Sequence, residues 1–313
     1  MKTTIAFLAL FGAISHAGEV DQFTRRSEPL ADSAQVVNAR ANEYVASAIS
    51  ALNESGSGCQ EEKLYKELRK YFSNHKKGEL TKFALHDESV ARRTIRLDQS
   101  IFKEWTIWDG YLLGRRSAAT SPLALSPLIR LGDHVVGTDK LEHIFGRGFI
   151  YFKKHYLKAK SSERAIKSGV FGEKTIFGGN KGATGVFSYA DLSANFNGMR
   201  FWNHMLQLRA DILGPEHEIG PYIACENQKW IKVKDIDFKD YVDETMDEAM
   251  NCSKFPTKRT LAKYEASLAE QGFSCPLDPA ILEAAALKYG EFARWIINPK
   301  NGEISYFGEF KGK

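Results

Sequence analysis

The sequence predicts a mainly helical α+β protein with a small glycine-rich β-ribbon, and three observations carry that prediction. Apolar residues recur at three- and four-residue steps over 41–52 and 61–72, a spacing that lines them up on one face of a helix. Gly178, Gly179, Gly182 and Gly185 make 175–187 a poor helix but a reasonable hairpin or looped ribbon. Near the end, Asn301-Gly302 separates Trp295-Ile296-Ile297 from Ile304-Ser305-Tyr306-Phe307, which is a hairpin signal.

The elements are taken in chain order. Lys2 supplies a short positive start, residues 5–14 are apolar but too few to span a membrane, and Ser15-His16-Ala17 places small residues at a cleavage site. Residues 1–17 therefore read as a secretory signal peptide cleaved near Ala17; a buried first helix would need polar residues at helical spacing, and 5–14 has none. No cysteine stands beside the site, so the expected product is secreted or periplasmic and free of a lipid anchor.

Residues 18–130 form a helical N-terminal region, mostly helical from 28 onward and interrupted by the loop at 53–58. Trp105, Trp108 and Tyr111 stand at three-residue steps; core packing is the expectation, and the lining of a sugar-binding groove the alternative. Pro122 and Pro127 break the pattern. Residues 131–313 form a motif-bearing region with a helical C-terminal extension, its motifs running from Thr138 to about Leu208 before charged helices take over.

Composition narrows the function classes. The 313 residues are 43% hydrophobic and 26% charged, which fits a globular chain and excludes a disordered one. The net charge of +4 is too weak to point to nucleic acid, and a mildly anionic polymer such as cell wall fits it better. Beyond residue 17 no apolar run nears the roughly 20 residues of a membrane-spanning helix, so no membrane insertion is expected. Cys59, Cys225, Cys252 and Cys275 contain no Cys-x-x-Cys pair and read as structural disulfides. The preferred pairing joins Cys225 or Cys252 to Cys275, with Cys59 tied back to the carboxyl-terminal part.

The residues that bear chemistry fall between 138 and 200. Thr138 can cap a helix that begins Asp139-Lys140-Leu141-Glu142-His143, with Asp139 near its positive end. Asp139, Glu142 and His143 then share one face, where a carboxylate orients the imidazole or raises its pKa. A second helix over 161–171 stops at Gly172 and delivers Glu173 at its end. After the glycines, Ser188 or Asp191 caps a third helix, on which Asp191 and Asn195 share a face while Gly198 and Met199 admit a neighbouring helix.

A carboxylic acid at a helix end, then a glycine-rich ribbon, then a helix with a second carboxylate resembles the order in lysozyme-like glycosidases. That resemblance implies a lysozyme-like helical domain with Glu173 as general acid, kept protonated by burial beside Phe171 and Phe187. Asp191, Glu142 or Asp139 would be the second carboxylate. Asp191 would position water or stabilise positive charge, His143 would tune the cluster with Asp139, and Asn195 would orient Asp191 or substrate. Tyr189 is a further substrate-binding candidate. The competing expectation is structural, with Glu173 and Glu142 serving as helix-terminal groups in a satisfied polar network.

Two families resemble the chain at these residues. Asp139-Lys140-x-x-His143, Glu173 and Asp191-Leu192-x-x-Asn195-x-x-Gly198, over about 60 residues, look like the pattern of VanZ-like proteins and related cell-envelope families. Those relatives are largely membrane-embedded, so an arrangement of polar residues transfers, with no established activity. Thr138-Asp139-Lys140-Leu141-Glu142-His143, Gly172-Glu173 and Gly185-Val186-Phe187-Ser188-Tyr189-Ala190-Asp191 look like the deacetylation-specific lysozyme of predatory bacteria. This second resemblance implies a hydrolase of peptidoglycan glycan strands with one essential glutamate, Glu173 or Glu142, and Glu173 leads. It also implies a preference for deacetylated strands, whose free amines suit a groove lined by Asp139, Glu142, Glu173 and Asp191.

Other classes lack their marks. A metal hydrolase could use His143, Glu173 and Asp191, but no His-Glu-x-x-His pair supports it, and neither a metal nor a cofactor is expected. The Gly-x-Ser-x-Gly elbow, the Walker A loop and the Gly-x-Gly-x-x-Gly fingerprint are absent. The expected state is a monomer, and the competing function is a noncatalytic VanZ-like cell-envelope binding protein.

Overall fold

The computed structural model describes residues 18–115, 124–176 and 178–299. The signal peptide read over 1–17 and the second hairpin arm at 304–307 lie outside them. The described residues are about 49% helical and 8% strand, mainly α with some β.

Helix forms first where the apolar steps are regular. α1 (Ala34–Glu54) buries Val37, Ala41, Val45, Ala48 and Leu52, and α2 (Glu61–Tyr71) buries Leu64, Tyr65 and Leu68. Glu61 and Glu62 open α2 while Arg69 and Lys70 close it, which complements its dipole. After α3 (Glu79–His86) the helical N-terminal region ends, earlier than its sequence suggests. Trp105, Trp108 and Tyr111 lie in successive turns, not on a helix. There the Asp109 carboxylate takes the Thr106 N–H, and a Cβ on Gly114 would stand 2.1 Å from the Thr106 carbonyl carbon.

Two hairpins supply the sheet. β1 (Leu128–Leu131) pairs antiparallel with β2 (His134–Gly137) about Gly132-Asp133, with Gly132 at φ +65°. β3 (Ile223–Glu226) pairs with β4 (Lys229–Lys232) about Asn227 and Gln228, both at positive φ as a primed turn requires. The glycine-rich stretch is the correction: within 178–185 it forms turns, and only Phe187 makes a β-bridge, to Lys254. Its carbonyls serve another segment, since Lys181 O accepts the Tyr111 N–H at 2.8 Å and Ala183 O the Leu112 N–H at 2.9 Å.

β2 leads directly into α4 (Thr138–Glu142), which continues through a wider π-type turn at His143–Arg147 into α5 (Gly148–Phe152). α6 (Ser162–Thr175) follows, and then α7 (Tyr189–His204), a central helix on which every residue is buried. Ser188 caps α7 by accepting the Asp191 N–H, as its sequence suggests. Thr138 does not cap α4, because it is already the first helical residue. The charged helices begin only at α8 (Lys258–Glu270), followed by α9 (Pro279–Tyr289) and α10 (Ala293–Ile296). Trp295 and Ile296 are thus helical and buried instead of forming the first arm of a hairpin.

α5 and α7 meet backbone to backbone. A Cβ on Gly198 would stand 2.3 Å from Ile144 O, and one on Gly148 would stand 2.5 Å from Gly198 Cα. Gly198→Ala must therefore push two buried backbones apart, and thermal unfolding should show a loss of about 1–3 kcal/mol. Around α7 one apolar cluster draws on α1, α2, α5 and α10; a second gathers Phe23, Trp105, Val186, Phe255 and Leu268.

Two disulfides close the chain, Cys59–Cys225 and Cys252–Cys275, both within the preferred alternatives. The first joins the α1–α2 loop to β3 across 166 residues. Removing it through Cys59→Ser with Cys225→Ser should cost about 2–5 kcal/mol, read from the denaturant midpoint. Among the described residues no helix is long and apolar enough to cross a membrane.

Candidate active site

A buried lysine organises the polar residues between α4 and α7. Lys140 Nζ, wholly buried, lies 2.8 Å from Asp139 Oδ2, 2.6 Å from Asp191 Oδ1 and 2.9 Å from Glu248 Oε1. The other Asp191 oxygen meets His143 Nε2 at 3.1 Å, and His143 Nδ1 lies 3.0 Å from Asn195 Oδ1. Ser188, the α7 cap, also donates to Glu248 Oε1 at 2.7 Å. One turn of backbone thus fixes both the helix start and a carboxylate of the cluster.

The α4 residues divide between two sides. Asp139 and His143, one helical turn apart, face α7 and the cluster. Glu142 turns instead to the α2–α3 loop, where its Oε1 lies 2.7 Å from His75 Nδ1. The single acidic face expected for Asp139, Glu142 and His143 is not formed. Tyr189 is also placed inside, only 4% exposed, with its ring 5.1 Å from Phe187 and 5.3 Å from the Lys254 ammonium.

Glu173 sits in the last turn of α6, which runs past Gly172 to Thr175, and is 2% exposed. The glycine stretch seals it: a Cβ on Gly178 would stand 2.2 Å from its Oε1. Among the described residues that oxygen has no hydrogen-bond partner. Phe187 is buried as expected near this acid, but Phe171 is 64% exposed and contributes little to shielding it.

Glu19 is a component that the sequence does not announce. It follows the predicted cleavage site by two residues, and its main chain bonds to Ala124 and Ser126. Its buried carboxyl accepts the Thr184 hydroxyl at 2.5 Å. Glu248 is the other addition, and its N–H is fixed by Gln22 Oε1 at 2.7 Å. Neither residue has a spacing relation to the motifs, and Lys140, which stands inside the motif Asp139-Lys140-x-x-His143, is not among the site candidates read from the sequence.

Electrostatics separates the carboxyls. Burial above all, helped by the nearby Asp191 charge, pushes Glu173 up to about 8. Burial followed by the charges of Glu248, Asp191 and Glu173 raises Glu19 well above the ordinary range. Asp139 is raised by burial to about 7, against the pull of Lys140. Asp191 is the opposite case: burial disfavours its charge, but the His143 and Lys140 cations outweigh burial and hold it well below the usual carboxylate range. Burial likewise opposes charge on His143 and Lys140, and their anionic neighbours overcome it, placing His143 at about 9 and Lys140 well above an ordinary lysine.

No family profile, curated protein or solved structure matches this chain.

At neutral pH the cluster accordingly contains an ionised Asp191 between two cations and, close by, a protonated Glu173. Asp139, His143 and Asp191 also bring one ligand atom each within 4.8 Å of one another, as a metal would require. Lys140 Nζ already bridges the two carboxylates, so a metal drawing on both would have to compete with the ammonium for their oxygens. The donor set suits proton chemistry better than metal ligation.

Proposed function

We propose that the protein is a secreted, lysozyme-like glycoside hydrolase of peptidoglycan glycan strands, with Glu173 as general acid and Asp191 as the anion that positions water or stabilises positive charge at the anomeric carbon. The observation that carries this reading is the opposite displacement of two neighbouring carboxyls, Glu173 up to about 8 and Asp191 below the usual range. One site then holds an acid and an anion at the same pH, which glycosidic cleavage requires. His143 fixes Asp191, and Asn195 fixes His143 from the other ring nitrogen. Two disulfides fit an oxidising compartment, in line with the signal peptide read over 1–17. The proposal includes a preference for deacetylated strands, as the resemblance to the deacetylation-specific lysozyme implies.

The deep burial of these groups favours one other reading, a noncatalytic cell-envelope binding protein in which the cluster only holds α4 to α7. Mass spectrometry of soluble fragments separates the two. Mature protein, Glu173→Gln and Glu142→Gln are each incubated with native and deacetylated sacculi. Reducing-end muropeptides from the wild type and from Glu142→Gln, with none from Glu173→Gln, are the expected result. No fragments from any form on either substrate would leave the binding reading.

A further inference from the structure

We infer that Trp108 and Tyr111 form a sugar-stacking platform for a glycan strand, carried on the same body as the glycine turn that covers Glu173. This deepens the glycosidase reading and rests on it. Trp108 is 75% exposed and Tyr111 43%, with Ile107 between the same turns at 46%. Such a concentration of apolar surface within five residues is not explained by packing, because the neighbouring anchors Trp105 and Leu113 are each 1% exposed. The segment is held rigidly while its aromatic faces stay open.

The rigidity has a specific source. Asp109, 3% exposed, takes the Thr106 N–H and hydroxyl on Oδ2 at 2.9 Å each and pairs on the same oxygen with Lys263 Nζ at 2.6 Å. Its carbonyl lies so close to Gly185 that a Cβ there would be 2.1 Å away, and a Cβ on Gly110 would stand 1.7 Å from Thr184 O. With Tyr111 and Leu112 bonded to Lys181 and Ala183, the aromatic turn and the glycine turn form one body. That glycine turn is the one whose Gly178 covers Glu173, so platform and acid are attached to the same loop.

The chemistry selects a sugar. Pyranose rings present a face of C–H groups bordered by hydroxyls, which suits a flat indole or phenol with a polar edge. A rigid aromatic loses little conformational entropy when it is covered, and exposed Trp and Tyr on a fixed support are therefore effective anchors. Arg115, 5.1 Å above the Tyr111 ring, braces that ring from one side.

The test uses the mature chain carrying Glu173→Gln, so that ligand is bound without being consumed. It is titrated with β-1,4-linked N-acetylglucosamine hexamer and with its de-N-acetylated counterpart, followed by tryptophan fluorescence and calorimetry. Adding Trp108→Ala should weaken binding roughly tenfold, whereas Trp108→Phe should retain most of the affinity. In the chain with Glu173 intact, Trp108→Ala should raise KM and leave kcat, with an unchanged melting temperature. Glycan binding that depends on Trp108 but yields no fragments supports the platform and overturns the glycosidase. Cleavage by Trp108→Ala at the wild-type KM leaves the glycosidase standing and overturns the platform. A fall in melting temperature with equal affinity also overturns it, as does Trp108-dependent self-association or vesicle binding without glycan binding.

Discussion

Glu173→Gln should lower turnover of peptidoglycan by about 10²–10⁴-fold while leaving the protein folded, since a positioned acid contributes about that much to a proton-transfer step. The pH dependence makes this sharper than simple loss of activity. Glu173 in the folded protein is pushed up to about 8, whereas in the unfolded chain it titrates at roughly 4.3. Between those values the native state holds a proton that the unfolded state has released. Stability therefore falls as pH rises through this window, and it is greatest, as far as this group is concerned, below the unfolded value. Glutamine keeps the neutral shape and removes the titration, so the variant should be at least as stable as the wild type at pH 7 and more stable at pH 8. Wild-type activity should fade as pH climbs past about 8 and the acid loses its proton. Toward low pH it should persist, because His143 and Lys140 keep Asp191 ionised well below the ordinary range. Activity that declines with a midpoint near an ordinary carboxylate pKa as pH rises would mean that Glu173 is ionised at neutrality, and it could not then be the acid.

The residues of this site that could be read from the sequence are those joined by helical steps. Asp139 to His143 and Asp191 to Asn195 are four-residue steps, and each pair meets the other through His143. Local periodicity could not place Glu142, since residues three and four apart diverge by ~100° around the helix. His75, in a different loop, decides which way it turns. Glu19 and Glu248 reach the cluster from 121 and 108 residues away from Lys140 and carry no local mark. The aromatic spacing at 105, 108 and 111 is compatible with a helix, but Asp109 and Gly110 build turns there, so one ring enters the core and two remain outside. The glycine stretch was legible as a break in helix, with hairpin and loop both open, and the loop formed because the groups that take its backbone bonds lie near residue 111. The β1–β2 turn at Gly132-Asp133 did carry a local signal, a glycine between two apolar runs. The β3–β4 turn uses Asn227-Gln228, where the left-handed conformation is imposed without glycine.

Lys140→Met should produce the largest loss of stability from a single substitution at the site. Methionine nearly matches the lysine stem in length, so packing is largely kept and the ammonium is what disappears. Asp139, Asp191 and Glu248 then lose the cation that lies within 3 Å of each, and while Asp139, raised to about 7 even beside Lys140, takes up a proton, Asp191 keeps a buried charge with one cation fewer. Leaving buried charges uncompensated costs about 3–5 kcal/mol. Lys140 is held well above an ordinary lysine in the folded protein, so the stability that this shift contributes is present throughout the neutral range and is lost only as pH rises through its raised value. The variant should behave differently on the acid side. Without Lys140, Asp191 is no longer held as far below the carboxylate range, and protons at low pH relieve the repulsion. Urea midpoints at pH 7 and pH 4.5 should therefore show a wide gap between variant and wild type at the first and a narrower one at the second. An equal gap at both would assign the loss to packing. The substitution also bears on the proton that Glu173 carries, because Lys140 is one of three cations, after His143 and Arg147, that lower the Glu173 pKa. Whatever activity survives in Lys140→Met should then persist to higher pH than in the wild type, so the lysine that holds the cluster together also sets the alkaline limit of its acid.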